Sequence, residues 1–178
     1  MHSFTTERLL IRPLTEEDKA LYFSLYCDKK IMRNIGNVFS HQKAETAFAN
    51  TLKTMTKKQP KALTWAIVSL ENNECIGLQA LNFQTSDIAE IGIMLLRTSN
   101  GRLLPEEAIG SLIEYGFNQL NLQQINACFA KKNLATARVA KKTGFIFKES
   151  QQPADIHQRV ESVFSNTWHR HYIKTIIG

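Results

Sequence analysis

Glu90 is the residue in this chain best placed to exchange a proton with a ligand. It lies inside the run AEIGIMLL at 89–96, which reads as a strand. Alternation puts it on one face with Gly92 and Met94. A carboxylate on a half-buried central strand is costly unless it has a use or a partner. Burial would also raise its pKa toward a working range. The bland alternative is a strand acid paired with a basic residue or facing solvent. Directly after this strand come a polar loop, RTSNGR, and an amphipathic helix, LLPEEAIGSLIEYGF. A loop that opens a helix in this way presents unpaired backbone N–H groups, and with the helix dipole they form an anion site. A proton acceptor and an anion cradle thus share one short stretch.

Other reactive side chains form weaker patterns. Cys27, Cys75 and Cys128 are widely spaced and make no CxxC pair, so neither a zinc site nor a disulfide framework is expected. His169 and His171 share a face of the last expected strand but have no apparent third ligand, so no metal is expected. The net charge of +6 suits an anionic ligand. It lacks the aromatic-basic pattern of an RNA-recognition surface, so nucleic acid is not the expected partner.

The 178 residues, 43% of them hydrophobic, suit one domain spanning 1–178 with a sizeable core. No apolar run is long enough for a membrane span, and MHSFTTERLL does not read as a signal peptide. A cytoplasmic location without membrane association is the resulting expectation.

The elements that must position these groups follow from spacing. ERLLIRPL at 7–14 reads as a strand, ended by Pro13. Thr15 then opens a helix, with Asp18 placed as a capping-box acid. Ala44, Phe48, Leu52 and Met55 make one apolar stripe of a second helix at 41–57, with Ser40 as N-cap. Strands at 63–70, 74–83 and 88–96 are separated by short turns and read as consecutive antiparallel strands. After the central helix, 124–129 reads as a strand, which implies a locally parallel crossover. A helix at 133–143 ends at Gly144, where a left-handed residue is wanted. A strand follows at 145–148, a loop at 151–155, and a final strand at 168–177.

TERLLIRPL at 6–14, WAIV at 65–68, CIGLQAL at 75–81, AEIGIMLL at 89–96 and NLATARVAKKTGF at 133–145 occur in an order that resembles the GNAT acyltransferases. Within that family the chain is similar to the RimJ/RimL-like N-acetyltransferases. The resemblance implies an α+β, three-layer α/β/α fold with a mixed, mostly antiparallel central sheet flanked by helices. It also implies acetyl-CoA as co-substrate, with its pyrophosphate in the anion cradle. Acetyl transfer to an amine requires removal of a proton, an N–H donor for the developing oxyanion, and departure of the CoA thiolate. The resemblance assigns Glu90 as the base, directly or through water. It places the oxyanion donor among the backbone N–H groups of Met94, Leu95 and Leu96, and the thiolate donor at Thr136. Asn133 would contact the pantetheine arm or cap its helix, and Arg138 belongs to the same cofactor framework. The Tyr that many members use as general acid is replaced by Ala140.

The cradle departs from the pattern. The family loop reads Gln/Arg-x-x-Gly-x-Gly/Ala, and here it is Asn100, Gly101, Arg102, Leu103, Leu104, Pro105. Leu103 takes a glycine slot through which phosphate oxygens approach the backbone. Pro105 removes one N–H donor, and losing one charge-assisted hydrogen bond weakens binding by about tenfold. Arg102 could offset part of this through a phosphate contact. Two readings stay open. One is a transferase acting through a ternary complex on a protein N-terminus or a small-molecule amine, as a monomer or homodimer. The other is a degenerate member with weak or no CoA binding, serving as a binding or regulatory module. The acceptor site is expected between the first two helices and the C-terminal hairpin.

Overall fold

The strand expected at 7–14 forms as β2 (Leu9–Pro13), where Leu9 and Ile11 point into the core. It pairs antiparallel with β3 (Ala62–Ser69) on one side and with a short β1 (Ser3–Thr5) on the other. In this computed structural model, residues 1–33, 35–99, 103–147 and 155–178 are described. β3, β4 (Cys75–Phe83) and β5 (Ile88–Leu95) form the expected antiparallel series. α4 (Leu104–Leu120) then crosses to β6 (Gln124–Ala130), which pairs parallel with β5. β7 (Ile146–Phe147), β8 (Gln158–Phe164) and β9 (Thr175–Ile177) complete a nine-stranded sheet in the order β7-β8-β6-β5-β4-β3-β2-β1-β9.

Helices cover both faces, giving the expected three-layer, mostly antiparallel α+β fold. α4 packs on the face that carries Phe4, Leu9, Ile11, Trp65, Leu81 and Ile125. α5 (Leu134–Lys142) joins it there through Ala137, Val139 and Ala140. The opposite face, carrying Ala66, Leu78 and Met94, packs against α1 (Lys19–Tyr26) and α3 (His41–Met55). The expected caps form for local reasons. Ser40 accepts from Lys43 N–H at 3.2 Å, Asn133 Oδ1 accepts from Thr136 N–H at 3.2 Å, and Gly144 holds φ at +93°. A short α2 (Lys29–Met32), capped by Asp28, lies between α1 and α3.

Two expectations at the C-terminus are corrected. The stretch 168–177 is a strand only at β9, and β9 joins β1 at the far edge of the sheet. The residues before it cross α4 instead, because a helix side chain takes their backbone donors. The buried Glu114 carboxylate accepts from Tyr172 N–H at 2.6 Å and Ile173 N–H at 3.0 Å. Gly110 admits the Tyr172 ring, since a Cβ there would sit 2.4 Å from ring carbons. His169 and His171 therefore do not share a strand face, and His171 Nδ1 lies 3.6 Å from Glu114 Oε1. The strand opposite β6 is β8, where no strand was expected. Its sequence QRVESVF buries Glu161 beside Arg159, so charged residues mask the apolar alternation. Of the loop expected at 151–155, residues 151–154 lie outside the described residues.

α1 is anchored to the sheet by one buried ion pair. Arg12 donates to both Asp18 oxygens, at 2.8 and 2.7 Å, and Thr15 N–H donates to Asp18 at 2.9 Å, the capping contact expected from sequence. Burial pushes the Asp18 carboxyl up, but the hydrogen bonds from Arg12 and Thr15 outweigh it and hold the group below its ordinary value. Its stabilisation is therefore complete above the unfolded value, about 3.9, and is lost as pH falls through the lower folded value. Asp18→Asn should cost about 2 kcal/mol at neutral pH, and that deficit should shrink in acid. Urea titrations of both proteins across pH test this; a deficit that stays constant with pH would refute the assignment.

Candidate active site

β5 and β6 pair through Ile88↔Gln124, Ala89↔Ile125 and Glu90↔Asn126, and then part. Each strand is held on its other side. β5 stays paired with β4 from Ala89 to Leu95, and β6 stays paired with β8 from Gln124 to Ala130. The sheet therefore opens as a V, with Glu90 on its last rung. Beyond Glu90, the β6-facing edge of β5 has backbone donors and acceptors with no strand partner. Gly77 accommodates the course of β5 here, because a Cβ at that position would sit 2.3 Å from the Met94 carbonyl oxygen.

A cleft of about 690 Å³ runs through this opening. On the α1/α3 side it is lined by Tyr22, Tyr26, Asn50, Thr54, Asn82 and Glu90. On the α4/α5 side it reaches Ile109, Asn133, Thr136 and Phe145. Such a volume suits a small-molecule site. Burial raises the Glu90 carboxyl pKa above its ordinary value. The Cys128 thiol, which also lines the cleft, is pushed up by burial and then by the nearby Glu90 and Asp155 carboxylates. Burial, followed by the neighbouring Tyr22, raises the Tyr26 phenol, and the two stacked ring centroids are 4.3 Å apart.

The structure brings Glu90, Met94, Asn133 and Thr136 to this one cleft. Leu95 packs against the α4-side core and Leu96 against the α1/α3-side core. The Leu96 N–H is engaged by the Ile76 carbonyl at 2.8 Å. Arg138 is exposed on α5 and does not line the cleft. Asn100, Gly101 and Arg102 lie outside the described residues. Sequence reasoning passed over Gln79, Tyr22, Tyr26, Asn82 and Cys128. Gln79 alone carried a signal, as an amide inside the apolar run CIGLQAL.

The helix that closes the cradle starts in an unusual way. Leu103 is the residue before α4 and holds φ at +62°, in the left-handed region. This is the slot where the sequence comparison calls for glycine, and the backbone has kept the glycine-like conformation. Leu103 is 57% exposed, so its side chain is not anchored in the core. Leu104 opens α4 and packs on the core, which makes Pro105 the second helical residue rather than the first. The first turn also carries two carboxylates. Glu107 is engaged by Thr6 and Arg8, and Glu106 by Lys142 Nζ at 3.2 Å.

Comparison with known proteins decides the family. The family model described as "Acetyltransferase (GNAT) domain" matches residues 8–146. This chain belongs to the GNAT acetyltransferase family. It is 26% identical to the uncharacterized N-acetyltransferase YoaA of Bacillus subtilis (strain 168), over 79% of this chain and 80% of the relative. RimL, the ribosomal L7/L12 alpha-N-protein acetyltransferase solved with coenzyme A, superposes with a TM-score of 0.76 at 15% identity, covering 91% and 97% of the two chains. Spermidine N-acetyltransferase from Vibrio cholerae, solved with CoA and spermine, gives 0.73 at 18% identity, covering 89% and 96%. The chain is thus an acyltransferase with the expected GNAT fold.

A left-handed Leu costs about 1–2 kcal/mol relative to an unstrained residue, and glycine removes that cost. Leu103→Gly should therefore leave the melting temperature of the free protein unchanged or higher. It should also tighten acetyl-CoA binding severalfold by clearing the approach to the α4 N-terminus. Calorimetry with the two proteins checks both; weaker binding by the glycine variant would show that the Leu103 side chain contributes to the site.

Proposed function

We propose that this GNAT enzyme moves an acetyl group from acetyl-CoA to a primary amine by direct transfer in a ternary complex, as in RimJ/RimL-like enzymes. The observation that carries the reading is Glu90, half-buried on the last rung before β5 and β6 part, with its pKa raised by burial. Bound acetyl-CoA supplies the acetyl group as a thioester. The open edge of β5 near Met94 and Leu95 would hold the pantetheine arm and offer an N–H to the acyl oxygen, the Leu96 N–H being engaged by Ile76. Glu90 takes the proton of the incoming ammonium, directly or through water. Thr136 offers its hydroxyl to the departing sulfur. Asn133 fixes Thr136 by accepting its backbone N–H, so its capping role serves the site. The α4 N-terminus, with Leu103, Leu104 and the neighbouring Asn100, Gly101 and Arg102, would receive the pyrophosphate, and Arg138 the nucleotide end.

The acceptor side favours one positive charge. Among the described residues lining the cleft, Glu90 is the one carboxylate, beside Tyr22, Tyr26, Asn50, Thr54 and Asn82. A polyamine brings further ammonium groups that would lose water without gaining a counter-charge. A monoamine on an aromatic or neutral polar skeleton fits better, since the ammonium meets Glu90 and ring faces. In an acceptor screen with acetyl-CoA consumption as readout, aromatic monoamines should exceed spermidine in kcat/KM by about tenfold or more. Preferred use of spermidine would reject this acceptor class but leave the transferase reading standing.

A second reading has its own observation. The α4 N-terminus has a left-handed Leu at its cap, a proline in its first turn and two acidic neighbours. These features favour a chain with weak CoA affinity that acts as a binding or regulatory module. Calorimetry separates the two: micromolar acetyl-CoA binding supports the enzyme, and no binding at millimolar ligand supports the module. Glu90→Gln tests the mechanism itself. Turnover at neutral pH should fall while acetyl-CoA affinity holds. In the wild type, activity should rise with pH as Glu90 deprotonates, above the ordinary glutamate range because burial raises its pKa. The variant should lack that rise; an unchanged profile would remove Glu90 from proton transfer.

A further inference from the structure

Gln79 is a buried amide without a partner. It is 1% exposed, and neither Nε2 nor Oε1 has a hydrogen-bond partner. An unmet buried amide is rare because each orphaned group forfeits its water bonds. Register places Gln79 between Trp65 on β3 and Ile93 on β5. Trp65, Leu81 and Ile93 on that face belong to the α4-side core, whereas Leu78 packs toward α1 and α3. Gln79 therefore lies on the face opposite Glu90, and it lines the same cleft. Its level on β5, Ile93, is where β5 has lost β6 as a neighbour.

We propose that Gln79 is a binding residue for the amide-bearing arm of the acyl donor, pairing its own amide with an amide of that arm. The inference rests on the cofactor reading above. The chemistry is complementary: a side-chain amide has one acceptor and a pair of donors, and a secondary amide returns one donor and one acceptor. The acyl-CoA arm carries two such amides between the nucleotide and the thioester. A lone trapped water satisfies the group less well, because a buried water needs two to four polar partners. On this face the cleft is apolar at Ile93, Ile109, Ala127, Phe129, Ala140 and Phe145, and the polar side chains at the start of α5 are Asn133 and Thr136, with Asn133 Oδ1 already accepting from the Thr136 N–H. The amine acceptor is excluded as the partner by position, since it enters on the Glu90 face.

The test compares wild type and Gln79→Met by calorimetry with two ligands: acetyl-CoA, and adenosine bisphosphate, which keeps the nucleotide but lacks the outer pyrophosphate group and the amide arm. Methionine keeps the volume and removes the unmet polar atoms, so the free protein should melt at the same or a higher temperature. Acetyl-CoA should bind about fivefold to tenfold more weakly to the variant, with adenosine bisphosphate unaffected. In parallel, the Gln79 side-chain amide signals of the wild type should shift in NMR spectra on adding acetyl-CoA but not adenosine bisphosphate. This second measurement stands if the variant does not fold. Unchanged acetyl-CoA affinity, or amide signals indifferent to it, would overturn the proposal and leave the amide to a trapped water. Wild type that binds acetyl-CoA while Gln79 stays silent defeats this inference alone. Wild type that binds no acetyl-CoA defeats the cofactor reading beneath it.

Discussion

The parting of β5 from β6 governs everything else in this molecule. Two strands that begin as a parallel pair are each committed elsewhere: β5 to β4 and β6 to β8. Neither can follow the other beyond Glu90 without giving up hydrogen bonds on its far side. The open edge gives up ladder hydrogen bonds that water or a ligand must replace, since Gly92 is exposed and Ile93 to Leu95 are half-buried. The fold bears this cost because the surrounding layers are dense. From Glu107 to Phe117, α4 is buried throughout, held between the sheet and the C-terminal segment through Glu114 and Gly110. The cleft is therefore a consequence of sheet topology rather than of a movable loop, and its lining is fixed by strand register.

That register also separates two kinds of chemistry. Side chains on the α1/α3 face, including Glu90 and Asn82, meet whatever enters from the tyrosine-lined side. Side chains on the α4 face meet whatever descends from the α4 N-terminus. The charges around that N-terminus are internally balanced. Glu107 binds Arg8, and Glu106 binds Lys142. The helix dipole there is already complemented by carboxylates, so an arriving phosphate must find its attraction in N–H groups and in neighbouring cations that are not paired.

The fold was legible in the sequence wherever apolar periodicity was clean. β3, β4 and β5 are short apolar-rich runs bounded by turns, α3 and α4 carry helical stripes, and Ser40 caps α3 explicitly. The misreadings fall where polar burial or a tertiary contact replaces the pattern. β8 hides because Arg159 and Glu161 occupy its inward positions, and 168–174 imitates a strand because Glu114, far away in sequence, takes its N–H groups. The site was legible only through residues with recognisable chemistry. Glu90 stood out as a charge in a strand, and Asn133 as a cap. Tyr22 and Tyr26 look like ordinary core aromatics, and only the course of α1 turns them toward the cleft.

Two local rules are broken beside one cleft, an amide in the core at Gln79 on β4 and a carboxylate on the half-buried strand at Glu90, and a left-handed leucine at Leu103 breaks a third at the α4 N-terminus. Among the described residues, the other non-glycine positions at positive φ are Asn73 and Asn121, a type that tolerates that conformation, so the strain at Leu103 is of a different kind. Local violations that persist are held by their surroundings, and they gather where a ligand repays them. A chain drifting away from ligand binding under selection for stability alone would lose an unmet amide such as Gln79, since replacing it by an apolar residue is a single step. The persistence of Gln79 and Glu90 beside the parted strands argues that the cleft is still held in a form shaped by what it binds.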